Sequence, residues 1–429
     1  MDLKYIHSLF LKCSSVSIDT RKIEHNSFFI ALKGKNFDAN TFAKEALIKG
    51  ASYVIIDNSD YYIDERTLLV DDSLIALQEL AKFHRCYLKL PIIALTGSNG
   101  KTTTKELIKV VLSKKYKTKA TVGNLNNHIG VPLTLLSFNE KTEIGIVEMG
   151  ANHKKEIAFL CSLAMPDYGY ITNFGKAHLE GFGGIEGVIE GKSEMYRYLL
   201  ENDKMVFINL EDSIQVEKAQ NIRSYSFGIS KENASFSIRS IHANPFVVIE
   251  YHNQLIVTHL IGLYNANNVS AAIAIGKYFG VNDDAIKEVL ESYIPENNRS
   301  QMISKGSNQI ILDAYNANPS SMKAAIENFT LLDIQRKIIF LGDMFELGKV
   351  SLYEHKNIIN YLLNHNEIKC YFIGKDFFYN RIEKSNFHFF ETFEDLKKSL
   401  IKNISFKNNM ILIKGSRGMA LERTLEFIN

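Results

Sequence analysis

"ALTGSNGKTTTKE", residues 94–106, decides the reading of this chain. It has the shape of a phosphate-binding turn but departs from the common form G-x-x-x-x-G-K-S/T. Gly100-Lys101-Thr102 is present, Leu95 stands where the outer glycine belongs, and the only earlier glycine in the stretch is Gly97. "PIIALTG" (91–97) reads as a buried strand opened by Pro91. "TTKELIKVVLSKKY" (103–116) carries Leu107, Ile108, Val110, Val111 and Leu112 at helical spacing. A strand–turn–helix of this kind aims backbone N–H groups and the positive helix end at an anion. Gly97, Ser98, Asn99 and Gly100 make the turn. Lys101 brings a positive charge for the terminal phosphates of a nucleotide, and Thr102, followed by Thr103, brings a hydroxyl for Mg²⁺. The plainer alternative is a strand–helix turn with a solvated lysine. Gly-x-x-Gly-Lys-Thr in this position makes that the weaker reading.

Outward from this loop, short apolar runs alternate with helical stretches, the α/β signature. "GIVEMG" (145–150), "YGYITN" (168–173) and "MVFINL" (205–210) are strands that end in polar or turn residues. In a parallel sheet such carboxyl ends line the ligand crevice. After about residue 295 the pattern restarts with "QIILDAY", "KIIFLGD", "CYFIGK" and "MILIKGS", and "YIPENNRSQM" (293–302) reads as a linker. Before residue 90 lies a smaller unit with "SFFIALKG" and "ASYVIID". We therefore expect three α/β domains. They are a small N-terminal domain (1–90), a central mostly parallel-sheet domain around the phosphate loop (91–295) and a C-terminal Rossmann-like domain (296–429).

Several strand ends carry chemistry. Glu148 closes "GIVEMG", where a carboxylate is costly unless paired, metal-bound or solvated. His178 follows another strand in "TNFGKAHLEGFGG", either as a packed residue or as a ligand. Lys192 sits early in a helix, where a solvated lysine is the ordinary expectation. Asn265 and Asn268, in "GLYNANNVSAAIAIGKYFG" (262–280), either read an adenine edge or cap the helix. Asp313 ends "QIILD" and can hold a ribose hydroxyl. Arg417, in "LIKGSRGMALE" (412–422), either clamps an anion through its guanidinium or is a solvated loop residue.

Composition narrows the class. The 429 residues are 46% hydrophobic and 23% charged, enough for several cores, and the net charge of +2 gives no reason to expect nucleic acid or an anionic membrane. The N-terminus has no long apolar core, no run approaches membrane-spanning length, and the four cysteines form no CxxC. A cytoplasmic address is the simplest expectation.

Together these segments resemble the Mur ligase family, ATP-dependent amide-forming enzymes of peptidoglycan precursor synthesis. "TGSNGKTTT" looks like that family's own short phosphate loop, which answers the question of the missing glycine. "GNLNNHIGVPLTLL" (123–136), "EMGANHKKEI" (148–157), "AHLEGFGG" (177–184), "DAYNANPSSM" (313–322), "GDMFELG" (342–348) and "KGSRGM" (414–419) are most similar to one branch. That branch joins D-alanyl-D-alanine to UDP-N-acetylmuramoyl-tripeptide (UDP-MurNAc-tripeptide) through an acyl phosphate.

The resemblance implies an acid–D-amino-acid ligase with ATP as co-substrate and two Mg²⁺ ions. Gly97 through Thr103 would hold the ATP phosphates. Thr102, Glu148 and His178 would form the metal site, with a carbamylated Lys192 steadying the second ion; Lys101, His178 and Lys192 are the catalytic candidates. Asn265 and Asn268 match the adenine side, while Arg299, Asp313 and Asn316 match nucleotide contacts from the C-terminal domain. Asp19, Thr20 and Arg21 match the uridine-diphosphate site, and Asn126 and Asn127 the muramoyl-peptide side. Asp343, Ser416 and Arg417 are further substrate-binding candidates. The implied partners are UDP-MurNAc-tripeptide, D-Ala-D-Ala and ATP, without nucleic acid or membrane insertion, and the implied state is a monomer. Two departures stand out: Tyr264 replaces the histidine usual before the Asn pair, and Thr20 replaces a serine. The rival within the family adds a diamino acid or glutamates to folate; the motifs after residue 310 argue against it, as does the absence of "DNPR". A P-loop GTPase would need Asn-Lys-x-Asp, which is missing. A binding module without chemistry would have little use for Lys101, Thr102, Glu148, His178 and Lys192 together.

Overall fold

In the computed structural model, which describes residues 2–428 except 297 and 404–405, three α/β units follow one another along the chain. The first is a four-stranded parallel sheet in the order Ser15–Ser17, Ser27–Ile30, Ala51–Ile56, Thr67–Leu69. The second is a seven-stranded parallel sheet in the order Phe236–Ile238, Arg223–Ile229, Met205–Asn209, Tyr168–Ile171, Ile92–Thr96, Ile144–Glu148, Thr118–Ala120. The strand that feeds the phosphate loop is therefore an inner one. The third unit is a six-stranded sheet in the order Gln301–Lys305, Asn308–Asp313, Met410–Lys414, Lys337–Gly342, Ile368–Ile373, Phe387–Phe390. Only its first strand is antiparallel.

The central strands are unbroken apolar runs because both faces are covered. Ile92–Thr96, Ile144–Glu148 and Met205–Asn209 are buried at every position. Side chains alternate across a strand, so Ile92 and Ala94 join one core with Val147, Leu160 and Val188, whereas Ile93 and Leu95 join another with Leu107, Ile108 and Ala272. The helix after the loop, Lys101–Leu112, packs on Ala266–Tyr278. That contact brings Asn265 and Asn268 to the phosphate loop.

The sequence reading expects four strands in the last unit, and the sheet has two more, one at each edge. Gln301–Lys305 begins inside the stretch read as a linker and has no buried position, so it offers no apolar run to recognise. Phe387–Phe390 is the opposite edge. A three-stranded antiparallel sheet, Ser240–Ala243, Phe246–Tyr251 and Gln254–Ile261, completes the second unit.

Helix Ser73–Leu88 ties the first unit to the second by packing on Gly130–Leu136. At this seam two buried histidines meet. His84 Nε2 lies 3.0 Å from the Phe138 carbonyl, which only accepts, so Nε2 carries the proton. His84 Nδ1 then accepts from His7 Nε2 at 3.0 Å. Burial, reinforced by His84, pushes the His7 pKa down to about 4. Among the described residues, no helix is long and apolar enough to cross a membrane.

Candidate active site

The loop's conformation explains its two glycines. Gly97 has φ +146°, and a Cβ there would sit 1.9 Å from Thr172 Oγ1. Gly100 has φ +78°, and a Cβ would sit 2.5 Å from Asn268 Oδ1. Both positions combine a backbone that side chains disfavour with a close neighbour. The loop is stitched to the end of the adjacent strand: Ser98 N donates to Asn173 O (3.0 Å), Asn99 N to Asn173 Oδ1 (3.0 Å) and Ser98 Oγ to Gly175 O (2.7 Å). Lys101 opens the helix and folds back, its ammonium donating to Gly97 O at 2.8 Å. Burial lowers its pKa, the Glu148 charge opposes that shift, and Arg299 adds to it.

Glu148 is 1% exposed, so the solvated reading of this strand end does not hold. Its Oε1 accepts from Asn126 Nδ2 (2.9 Å) and Thr102 Oγ1 (3.3 Å). Its Oε2 is buried and has no hydrogen bond among the described residues. The nearest cation is Lys105 Nζ at 3.9 Å, engaged with Thr121 O (2.6 Å) and Glu106 (2.8 Å). A buried carboxylate oxygen without a donor, beside a threonine hydroxyl, is the donor type a hard divalent cation takes.

His178 holds a left-handed backbone, φ +52°, at the start of the short helix Leu179–Phe182. Its Nδ1 lies against the Glu346 carboxylate, without the alignment of a hydrogen bond. Lys192 is 1% exposed and makes no hydrogen bond or ion pair with a described residue; its Nζ lies 5.6 Å from the centre of the Phe182 ring. The solvated lysine expected on a helix face is thus not what the fold contains. Burial, reinforced by Lys101, pushes its pKa well below the ordinary lysine value.

The Asn pair does not cap its helix through side chains. Asn265 Nδ2 donates to Ile261 O (2.8 Å), Asn268 Nδ2 donates to Asn265 Oδ1 (2.9 Å), and Asn268 Oδ1 accepts from Thr104 Oγ1 (3.0 Å). Tyr264 reaches across to the Ser300 hydroxyl (2.8 Å). From the C-terminal unit, the Arg299 guanidinium stacks 3.7 Å over Tyr315, and Asp313 pairs with Lys414 at 2.5 Å while accepting from Ser300 N. Asn318 Nδ2 donates to Asn99 Oδ1 at 2.7 Å, joining the third unit to the phosphate loop itself.

These groups surround one cavity of about 740 Å³. Ser98, Asn99, Gly100, Lys101, Thr102, Thr103, Asn126, Asn127, Glu148, His178, Asn265, Asn268, Arg299, Asp313 and Asn316 line it. The other predicted site residues do not. Gly97 contributes its carbonyl to Lys101, and Lys192 lies outside the lining. Asp19 and Arg21 pair with each other at 2.8 Å around Thr20 in the first unit. The Asp343 carboxylate caps a helix, accepting from Asp376 N and Phe377 N (3.1 Å each). Burial raises its pKa. Ser416 Oγ accepts from Phe345 N (2.9 Å), and Arg417 is exposed and paired with Glu422. Sequence reasoning missed Lys105, Asn318, Glu346 and Lys414. All four sit in motifs already singled out, but the partners they meet are a property of packing.

Residues 95–276 match the Mur ligase middle domain and residues 298–417 the Mur ligase glutamate ligase domain. The chain is 36% identical to the UDP-N-acetylmuramoyl-tripeptide–D-alanyl-D-alanine ligase of Bacillus subtilis over 432 residues, covering 96% of this chain and 92% of the relative. A crystal structure of MurF from Acinetobacter baumannii superposes with TM-score 0.85 at 29% identity, covering 99% of this chain and 97% of that one. MurF ligase from Thermotoga maritima in complex with ADP gives 0.81 at 27% identity, covering 97% of each chain. The phosphate loop, the cavity shared between two units and the full-length likeness agree: this chain belongs to the Mur ligase family.

Proposed function

We propose that the chain joins D-Ala-D-Ala to UDP-MurNAc-tripeptide at the expense of ATP, releasing ADP and phosphate. The observation that carries this is the single cavity in which the phosphate loop and Glu148 face Arg299, Asp313 and Lys414 of the C-terminal unit. One wall suits a nucleotide phosphate, and the opposite wall belongs to the unit free to bring the second substrate. The Bacillus subtilis relative carries this activity in its name. Residues 1–90 hold the uridine-diphosphate end through Asp19, Thr20 and Arg21, residues 91–295 hold ATP, and residues 296–429 close on the dipeptide. The chain works as a monomer in the cytoplasm.

The terminal carboxylate of the tripeptide attacks the γ-phosphorus of ATP, and ADP leaves. A carboxylate is a poor electrophile; its acyl phosphate carries a leaving group. The dipeptide amine adds to that carbonyl, loses a proton, and phosphate departs. Two anions meet in the first step, so positive charge must be concentrated there. Lys101 supplies part of it, and Gly97 through Thr103 orient the phosphates. Thr102, Glu148 and His178 would hold Mg²⁺, and Lys192 a second ion; such ions would offset the negative charge of the phosphoryl oxygens. The orphaned Glu148 Oε2 supports the first assignment. Lys192 is buried and held toward its neutral form, the form that adds to CO₂ with loss of a proton. The resulting carbamate would present anionic oxygens to the metal. Asn265 and Asn268 face the adenine, Arg299, Asp313 and Asn316 the rest of the nucleotide, and Asn126 and Asn127 the muramoyl peptide. Asp343, Ser416 and Arg417 hold the loops on the dipeptide side.

The deciding experiment measures phosphate release with ATP and Mg²⁺ while each co-substrate is left out in turn. The reading requires release only when both are present, with the pentapeptide product seen by mass. Release with one or neither, and no product, would sink it.

A further inference from the structure

The segment that carries His178 is held from two sides. On one side the phosphate loop grips it, Ser98 Oγ donating to Gly175 O at 2.7 Å. On the other side the C-terminal unit grips it at several points. Lys176 N donates to Ser320 Oγ (2.9 Å) and Lys176 Nζ to Glu354 (2.6 Å). Glu180 N donates to Glu346 O (3.3 Å). Gly348, at φ +57°, lets its loop approach so closely that a Cβ would sit 3.1 Å from the Glu180 side chain. At the centre of this contact the Glu346 carboxylate meets His178 Nδ1. Glu346 does not line the cavity, whereas His178 does.

We propose that Glu346 is a positioning residue for His178. By occupying Nδ1 it fixes the ring plane and leaves Nε2 as the ring nitrogen available to a metal. A carboxylate on the far nitrogen of a ligating histidine orients the ring and raises its basicity. Here the carboxylate comes from a different unit than the histidine, so docking of the C-terminal unit and completion of the metal site are one event. The inference rests on His178 being a metal ligand, as proposed above.

The test uses the full chain with ADP bound and Mn²⁺ as the probe, with binding followed by loss of the free-ion paramagnetic resonance signal. Glu346→Ala should weaken Mn²⁺ binding by about 10-fold. It should lower kcat comparably while leaving KM for ATP unchanged. Glu346→Gln, which keeps an acceptor oxygen, should recover most of the loss. In a His178→Ala background, Glu346→Ala should add nothing, because a residue that acts only through the imidazole has nothing left to act on. A full additional loss in that background, or unchanged Mn²⁺ binding in Glu346→Ala beside a weakened His178→Ala, overturns the inference and leaves the ligand role of His178 standing. Unchanged binding in His178→Ala removes the ligand role and the inference with it.

Discussion

The carboxyl ends of the central and C-terminal sheets are both rich in charge, and they treat it differently. At the central sheet, Glu148 Oε2 is buried without a hydrogen-bond partner among the described residues, and Lys192 is buried with its amine beside the Phe182 ring. At the C-terminal sheet, Lys414 has Asp313, Asp343 has two backbone N–H groups, and Ser416 has Phe345 N. A buried polar group left alone costs free energy unless something outside the chain completes it. The central end is therefore built to receive charged groups from elsewhere. The C-terminal end is a finished scaffold that supplies shape and a few outward-reaching side chains.

That contrast can be broken, starting where the effect should be largest. Lys192→Ala should lower kcat by about 10²–10³-fold while ATP affinity measured by titration calorimetry stays near the parent value. An active variant would mean the central end has no need of that residue. Lys414→Met should act on stability as well as on the cavity wall, leaving Asp313 without its cation at a cost of about 3 kcal/mol in urea unfolding. A smaller loss, about 2 kcal/mol, is expected for Asp343→Ala, which strips the acceptor from Asp376 N and Phe377 N. Its KM for ATP should not move. If KM rises instead, Asp343 belongs to the site and not to the scaffold.

A last effect, read through pH, concerns the seam between the first two units. His7 is depressed to about 4 in the folded chain, below its ordinary 6.5. The unfolded chain therefore binds the extra proton first as pH falls. The His7 contribution is fully present above about pH 6.5, declines as pH drops, and is gone below about 4. Unfolding midpoints across that window should show this slope in the parent and a flatter one in His7→Phe.

Much of the fold was legible because central strands in a covered sheet must be apolar throughout. "PIIALTG", "GIVEMG" and "MVFINL" are such strands, and the restart of the pattern after residue 295, with the smaller unit before residue 90, points to the three-unit α/β order. The edge strand Gln301–Lys305 was not legible, since a strand with no buried position leaves no hydrophobic trace. In the site, the loop and Glu148 could be read because their chemistry is local. The Glu346–His178 and Asn318–Asn99 contacts could not, because each joins segments far apart in sequence and depends on how two units meet. The Asn pair shows a third case. Helix capping and ligand facing predict the same residue type at the same place, and only the partners of Asn265 and Asn268 separate them.

Asn318 does two jobs with one side chain. Its Oδ1 accepts from Ser321 N (2.9 Å) and caps the helix Pro319–Leu331, while its Nδ2 donates to Asn99 Oδ1. Aspartate would cap as well but has no proton for Asn99. Serine has a single oxygen for both tasks, and glutamine is longer by a carbon, which would move both atoms out of register. Position 318 is thus restricted to one letter of the amino-acid alphabet, by the coincidence of two ordinary demands on a four-atom group.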